Sequence, residues 1–138
     1  MSDNINPDEK IEDMHQGFRE AKTEAEEIIN DKKETDKILN KSMKIAFKLR
    51  SGPLAQIWED VQLLFSVVKD WTSGEYREIP IGSMVIILGA LIYLINPIDI
   101  IPDIIPVLGN IDDIFILGLV LNQVHSDLQE YKEWKDAL

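Results

Sequence analysis

The feature that most constrains the fold is a run of twenty residues without a charged side chain, from Ile79 to Ile98. Its middle, from Met84 to Ile95, is almost wholly aliphatic. As a helix, residues 79–96 would extend for about 27 Å, close to the roughly 30 Å hydrocarbon core of a bilayer. A helix that is apolar all round also occurs at the centre of compact bundles. The run therefore predicts a membrane segment or a core helix, and membrane association is our leading interpretation.

A second charge-free run, Ile114 to Ser126, would extend for only about 20 Å as a helix, which is too short to span a bilayer. Extending it backwards brings in Asp112 and Asp113, which are costly in lipid. We therefore predict an apolar helical hairpin over 79–126 that dips into a membrane or forms the centre of a soluble, cytoplasmic bundle. Basic residues flank the hairpin and only aspartates lie in its turn, so the positive-inside tendency predicts that both termini are cytoplasmic.

The first fifty residues have apolar positions at alternating spacings of three and four, which is typical of an amphipathic helix. Lys32, Thr35 and Ser42 weaken the middle of this stripe, so the pattern predicts one long helix or two joined near residues 30–35. We favour a helix that covers part of a core over a self-associating coil, which would make a homo-oligomer. The stripe consists of Ile11, Met14, Phe18, Ala21, Ala25, Ile28, Leu39, Ala46 and Leu49.

The segment Ser51-Gly52-Pro53 predicts the end of this helical arm. A well-formed helical face follows over residues 54–71, and then a turn that contains Gly74. The sequence therefore predicts an all-α protein, a small helical bundle built around the apolar hairpin. We divide it into an acidic amphipathic arm at residues 1–50 and a helical domain at residues 54–135.

The net charge of −11 excludes nucleic acid as an expected partner, because phosphate binding needs a basic face. It leaves open a soluble acidic inhibitor, or immunity protein, that binds a basic toxin. The chain has no cysteine, so no disulfide or thiolate site is expected. Its polar, acidic start predicts no cleaved secretory signal.

The most informative segment, residues 96–113, combines prolines and aspartates with isoleucine, valine and leucine. Pro97, Pro102 and Pro106 argue against a continuous helix, and we expect the first apolar helix to end at Pro97. A broken apolar segment needs partners for its free backbone amides, which aspartate carboxylates supply at turns and helix starts. Asp99 and Asp103 are placed to cap short turns in this way.

The end of the same segment predicts the start of the last apolar helix. Gly109 can adopt a left-handed turn, and Asn110 is a favourable helix cap. Asp112 and Asp113 would then lie in the first turn, where negative charge is favourable. Structural capping is our preferred role for the four aspartates.

Two functional roles for Asp99, Asp103, Asp112 and Asp113 stay open beside capping. The carboxylates could converge on a divalent cation, because Mg²⁺, Mn²⁺ and Ca²⁺ favour oxygen ligands. They could also serve proton or ion permeation. No cofactor other than this cation is expected.

This segment resembles the signature of the YkvA-like family, a domain of unknown function, and the resemblance extends over about residues 54–135. The family implies a small helical, membrane-associated protein and brings no established activity. The matching positions are Tyr93, Leu94, Pro97, Asp99, Pro102, Asp103, Pro106, Gly109, Asp112 and Asp113.

No phosphate loop, nucleophile elbow or catalytic triad is present in the sequence. The leading hypothesis is therefore a non-enzymatic, membrane-associated scaffold or interaction module whose N-terminal helix contacts a protein partner. The alternatives are the acidic inhibitor and a cation-dependent activity at the aspartates.

Overall fold

A computed structural model describes the backbone of residues 7–100 and 106–138 and the side chains of residues 15–95 and 114–138. The described chain is all-α, as the sequence predicts, and no strand occurs within these ranges. Its elements are α1 (Pro7–Ile28), α2 (Lys32–Leu49), a short 3₁₀ turn (Ala55–Ile57), α3 (Trp58–Ser73), α4 (Ile81–Ile100), α5 (Pro106–Gln123) and α6 (His125–Asp136).

The N-terminal stripe forms two helices that meet within the predicted joint. Asp31 caps α2 by accepting a hydrogen bond from the backbone N–H of Glu34 at 3.1 Å. The Thr35 hydroxyl donates to the carbonyl of Ile28 at 3.1 Å, which satisfies the end of α1. Ser42 likewise donates to the carbonyl of Ile38 at 2.8 Å. Because both hydroxyls have a partner, Thr35 and Ser42 can be buried on the stripe although they are polar. Two of the three polar positions are therefore compatible with burial, whereas Lys32 is exposed.

The boundary after α2 and the turn after α3 lie where the sequence predicts them. α2 ends at Leu49, and its cap residue Arg50 directly precedes the Ser-Gly-Pro segment. α3 ends at Ser73 and is capped by Gly74. The φ of Gly74 is 87°, in the left-handed region that glycine tolerates best. The backbone N–H of Gly74 donates to the carbonyls of Asp70 and Trp71, which closes the last turn.

Helix α4 is the centre of the fold, because α1, α2, α3 and α5 all pack against it. Nearly all its described residues from Met84 to Ile95 are buried. Helices α4 and α1 approach each other so closely that a Cβ atom at Gly89 would lie 3.2 Å from the Cα of Lys22. Ala21 and Ala25 are fully buried in α1, and small residues of this kind let two helices approach closely.

The two N-terminal helices contribute to the same hydrophobic core as the rest of the bundle. Ala21, Ala25, Leu39 and Ala46 belong to one cluster with the buried residues of α3 to α6. The interpretation that the N-terminal stripe covers a core is therefore confirmed. The division into units 1–50 and 54–135 stays a prediction.

Two helix boundaries predicted in the proline-aspartate segment were wrong. α4 does not end at Pro97 but continues to Ile100. Pro97 lies in the last turn, where the loss of one backbone hydrogen bond does not prevent three more helical residues. α5 begins at Pro106, so Gly109 and Asn110 are inside the helix rather than in a turn and a cap. Proline is favoured at the first position of a helix, because its missing N–H would have no partner there.

Within the described residues, no helix is long and apolar enough to cross a membrane. From Met84 to Ile95 the charge-free residues of α4 are mostly covered by other helices, whereas Ile81 and Gly82 in the first turn are exposed.

Candidate functional site

The side chains of Asp99, Asp103, Asp112 and Asp113 lie outside the described residues, so their capping and cation-binding roles stay predictions. Pro102 also lies outside the described backbone. Elsewhere, in the part of the chain whose side chains are described, no group of three or more His, Cys, Asp or Glu could hold a metal ion. Tyr93, the first residue of the motif, is half-buried in α4 beside α1, and a Cβ at Gly17 would lie 3.1 Å from its ring.

Helix α5 places an uncharged surface at the outside of the bundle. Phe115 and Leu119 are each 45% exposed, and Gly118 and Asn122 beside them are also exposed. Because these residues are three and four positions apart, they share one side of the helix. We call this surface the α5 outer face (Phe115, Gly118, Leu119 and Asn122). The opposite side of α5, with Ile116, Leu117 and Val120, is buried against the core.

A buried polar cluster joins α3 to α6. Asp70 is only 7% exposed and Tyr131 is fully buried, and the Tyr131 hydroxyl donates a hydrogen bond to the Asp70 carboxylate. The Lys135 Nζ lies 3.1 Å from the same carboxylate oxygen. The Ser66 Oγ is 2.5 Å from the Tyr131 hydroxyl. Since tyrosine has one proton and gives it to Asp70, Ser66 must be the donor in this pair.

The environment of this cluster fixes the charge of its members. Burial raises the pKa of the Tyr131 hydroxyl above its ordinary 10.0, and the hydrogen bond to Asp70 raises it further. The hydrogen bonds to Asp70 and Tyr131 raise the pKa of Lys135 above its ordinary 10.5. At neutral pH the cluster therefore holds a neutral tyrosine and a charged lysine around one carboxylate. This arrangement binds two helices together and has no base placed to activate Ser66.

Local sequence patterns contain almost no signal for this cluster. Asp70 lies between the apolar residues Val68 and Trp71 of α3, and an aspartate inside an apolar face is the one signal that could have indicated a buried carboxylate. Its partners are about sixty residues away, so their spacing carries no local pattern. Tyr131 and Lys135 are four positions apart in α6, which places both on the side that faces α3.

Two of the tryptophans pack against other side chains of the bundle. Trp71 is buried, and the Arg77 guanidinium lies over its ring at 4.1 Å from the centroid. Trp134 packs against Tyr76 with ring centroids 4.9 Å apart. A further contact joins the first turns of α4 and α6, where the Ser83 hydroxyl donates to Asp127 at 2.5 Å. His15 and His125 are both exposed.

Comparison with known proteins supports the resemblance seen in the sequence. A family model described as a protein of unknown function (DUF1232) matches residues 83–119, which cover most of α4 and α5. The uncharacterized membrane protein YkvA of Bacillus subtilis (strain 168) is 32% identical over 77 residues. That match covers 56% of this chain and 73% of the relative.

The chain belongs to the YkvA-like family. No solved structure shows significant similarity to it. The family model covers most of the two charge-free helices and the proline-aspartate segment between them, whereas α1, α2, α3 and α6 lie outside it. The family membership is therefore strongest in the apolar centre of the fold.

Proposed function

We propose that this protein is a membrane-associated, non-enzymatic interaction module that touches lipid through the α5 outer face. The observation that carries the proposal is the exposure of Phe115 and Leu119 on α5, which has no charge from Ile114 to its end at Gln123. An aromatic and an aliphatic side chain on an uncharged helix face are suited to the boundary between headgroups and acyl chains. The name of the Bacillus relative, a membrane protein, supports the same location.

The packing of α4 favours α5 as the lipid contact. Helix α4 is the more apolar of the two, but its side chains from Met84 to Ile95 are mostly buried against α1, α2, α3 and α5, whereas Ile81 in its first turn is 55% exposed. Placing α4 in lipid would require the N-terminal helices to leave it, and their buried apolar surface would then lose its cover. Contact through the α5 outer face requires no such change.

Insertion of the hairpin 79–126 is the second arrangement, with both termini on the cytoplasmic side. It would need α1 and α2 to separate from α4 before the apolar helices enter lipid. The uncharged length of the segment supports it, and the close packing of α1 on Gly89 opposes it. The two arrangements differ in whether α4 becomes accessible from the bilayer.

The outer side of α1 is the proposed surface for a protein partner. Glu20, Glu24 and Glu27 are all exposed and follow one another at spacings of four and three, which places them on one face. A row of carboxylates of this kind attracts a basic surface on a partner, and the attraction falls with salt. This part of the proposal is independent of lipid contact.

The membrane proposal is tested by flotation of the purified protein with phosphatidylcholine vesicles, whose zero net charge avoids repulsion of an acidic chain. A double variant, Phe115→Ser with Leu119→Ser, should reduce vesicle binding roughly tenfold or more, because two apolar side chains no longer enter the interface. The matched control is Gln123→Ser with Gln129→Ser, two exposed residues outside the α5 outer face.

The proposal predicts that the wild type and the control float equally with the vesicles and that the double variant remains in the bottom fraction. Equal flotation of the double variant and the wild type would show that another surface makes the contact. Failure of the wild type to float would contradict membrane association itself.

A further inference from the structure

An open groove of about 500 Å³ lies between α2 and α3 and reaches the C-terminal part of α6. Its apolar walls are formed by Met43 and Phe47 of α2 and by Trp58 and Phe65 of α3. Met43 is 44% exposed and Phe47 54% exposed, although both are large apolar residues on a highly charged helix. Trp58 packs edge-on against Phe47 with ring centroids 6.4 Å apart. The groove therefore presents an aromatic surface to solvent without a cover.

The rim of this groove is basic, although the chain as a whole carries a charge of −11. Arg50, Lys69 and Lys135 lie along it, with Asp70 as the carboxylate that lines it. Asp70 is already bound by Tyr131 and Lys135. Three cations beside one carboxylate that already has partners give this surface a positive charge, opposite to the net charge of the molecule.

Two of the three cations are held in place by neighbours within the groove. The Arg50 guanidinium lies over the Phe47 ring at 3.5 Å from the centroid and donates to the Phe47 carbonyl at 2.6 Å. Lys135 is fixed by its ion pair with Asp70. Lys69 is exposed and makes no ion pair with any residue that the structure describes, so its ammonium group is available to a ligand.

The size of the groove indicates the class of occupant. A volume of about 500 Å³ lies within the range of sites for small molecules, roughly 300–1,000 Å³. A stable protein interface instead buries about 1,200–2,000 Å² over many residues. Apolar walls with a cationic rim fit a molecule that has one hydrocarbon chain and one negative head.

We propose that the groove between α2 and α3 binds a single-chain anionic amphiphile of the fatty-acid class. The hydrocarbon chain lies along Phe47, Trp58 and Met43, and the carboxylate meets Lys69 at the basic rim. This site is separate from the α5 outer face, and binding of a monomeric fatty acid does not require a membrane. Its failure and the failure of the membrane proposal are therefore distinguishable.

The test is calorimetric titration of the full chain with dodecanoate and with dodecyltrimethylammonium, both kept below the concentrations at which they form micelles. The two probes share a chain length and differ in the sign of the head. We expect dodecanoate to bind one molecule per chain and the cationic probe to bind at least about tenfold more weakly, since opposite charges attract across a partly desolvated site. Dodecanoate should also change the fluorescence of the wild type, and this change should be lost in Trp58→Phe.

Two variant pairs assign the binding to the groove. Lys69→Gln should weaken dodecanoate about threefold, as expected for one exposed charge pair, whereas Lys132→Gln, an exposed lysine elsewhere on α6, should not. Phe47→Ser should weaken dodecanoate about tenfold by removing an apolar wall, whereas Leu119→Ser should not.

The proposal is overturned if dodecanoate does not bind or if dodecyltrimethylammonium binds as tightly. It is also overturned if the control variants weaken binding as much as the groove variants, since binding would then be a general property of the surface. Met43→Ser serves as a second wall variant in case Phe47→Ser perturbs the fold.

Discussion

Helices α4 and α5 have similar sequences in one respect, because each contains a long stretch without charge, yet they occupy different environments. From Met84 to Ile95, α4 is mostly covered by α1, α2, α3 and α5, and only its first turn is exposed among the residues that the structure describes. Helix α5 packs on α4 with one side and exposes Phe115 and Leu119 on the other. The difference comes from their neighbours, since the amphipathic helices α1 and α2 pack along α4.

This comparison shows that apolar length alone does not decide which helix meets lipid. A helix that is apolar all round can be a membrane segment or a core helix, and the presence of amphipathic partners selects between them. In this chain the partners precede the apolar region, and their stripes match the surface that α4 offers. The helix with less cover, α5, is therefore the better candidate for contact with a bilayer.

The largest predicted effect is on the free energy of unfolding, and it compares a buried position of α1 with an exposed position of α5. Ala25→Asp places a carboxylate at a position of α1 that has no exposure, where it faces α4. We expect a loss of about 3–5 kcal/mol in the free energy of unfolding, because a buried charge without a partner is strongly unfavourable. Urea denaturation followed by circular dichroism measures it.

Leu119→Asp is the matched change on α5 and should alter the free energy of unfolding by only about 0.5 kcal/mol, because the site is exposed. Similar losses at the two positions would mean that α1 does not cover α4 as described.

A second prediction concerns α6, which follows α5 and is fixed by the polar cluster on α3. Tyr131→Phe should lower the free energy of unfolding by about 1–3 kcal/mol, because Asp70 loses a buried donor and Ser66 loses its acceptor. Tyr76→Phe is the control. Tyr76 is also buried, but within the described residues its hydroxyl makes no hydrogen bond. Equal effects of the two substitutions would show that the network contributes little.

A third prediction uses one glycine in each apolar helix. Alanine gains about 1 kcal/mol over glycine in a helix interior from propensity alone. Gly118→Ala on α5 meets no atom within 4 Å and should stabilise the protein by about that amount. Gly89→Ala on α4 meets Lys22 of α1 and should instead cost about 1 kcal/mol through overpacking. Thermal unfolding of both variants should give shifts of opposite sign, and shifts of the same sign would contradict the close approach of α1.

The smallest predicted effect is a dependence on alkaline pH. The pKa values of Tyr131 and Lys135 are raised in the folded state, so the folded protein retains protons that the unfolded chain releases above about pH 10. Stability should therefore be constant below this pH and fall as the pH rises above it. Urea unfolding between pH 8 and 11 measures the slope, which should be smaller in Tyr131→Phe. An unchanged slope in this variant would exclude Tyr131 as the source.

Local pattern was sufficient to predict the all-α fold, the joint between α1 and α2 and the glycine at the end of α3. Each depends on residues a few positions apart, such as Asp31 with Glu34. Asn110 as a cap predicts that α5 starts at Ile111, five residues after the observed start at Pro106. Asn110 is a good cap and Pro106 is a good first residue, and local preference does not choose between them. The Asp70–Tyr131 cluster depends on a contact across sixty residues, which only the packing of α6 on α3 creates.

The groove was also hidden from the sequence, for a related reason. Met43 and Phe47 do not lie on the stripe of α2 that packs inwards, so they formed no recognisable pattern by themselves. Their proximity to Trp58 and Lys69 results from the turn that reverses the chain between α2 and α3. Function at such a surface follows from tertiary packing rather than from a motif.

The most direct test of the central claim is to ask which apolar helix becomes accessible from a bilayer. The chain has no native cysteine, so Leu119→Cys on α5 and Ile86→Cys, a half-buried position on α4, can each carry a single nitroxide label. Collision with oxygen, which concentrates in lipid, is then measured with and without phosphatidylcholine vesicles. Contact through α5 predicts a rise at position 119 and no change at position 86. A rise at position 86 would contradict the account, because it would mean that α4 also contacts lipid.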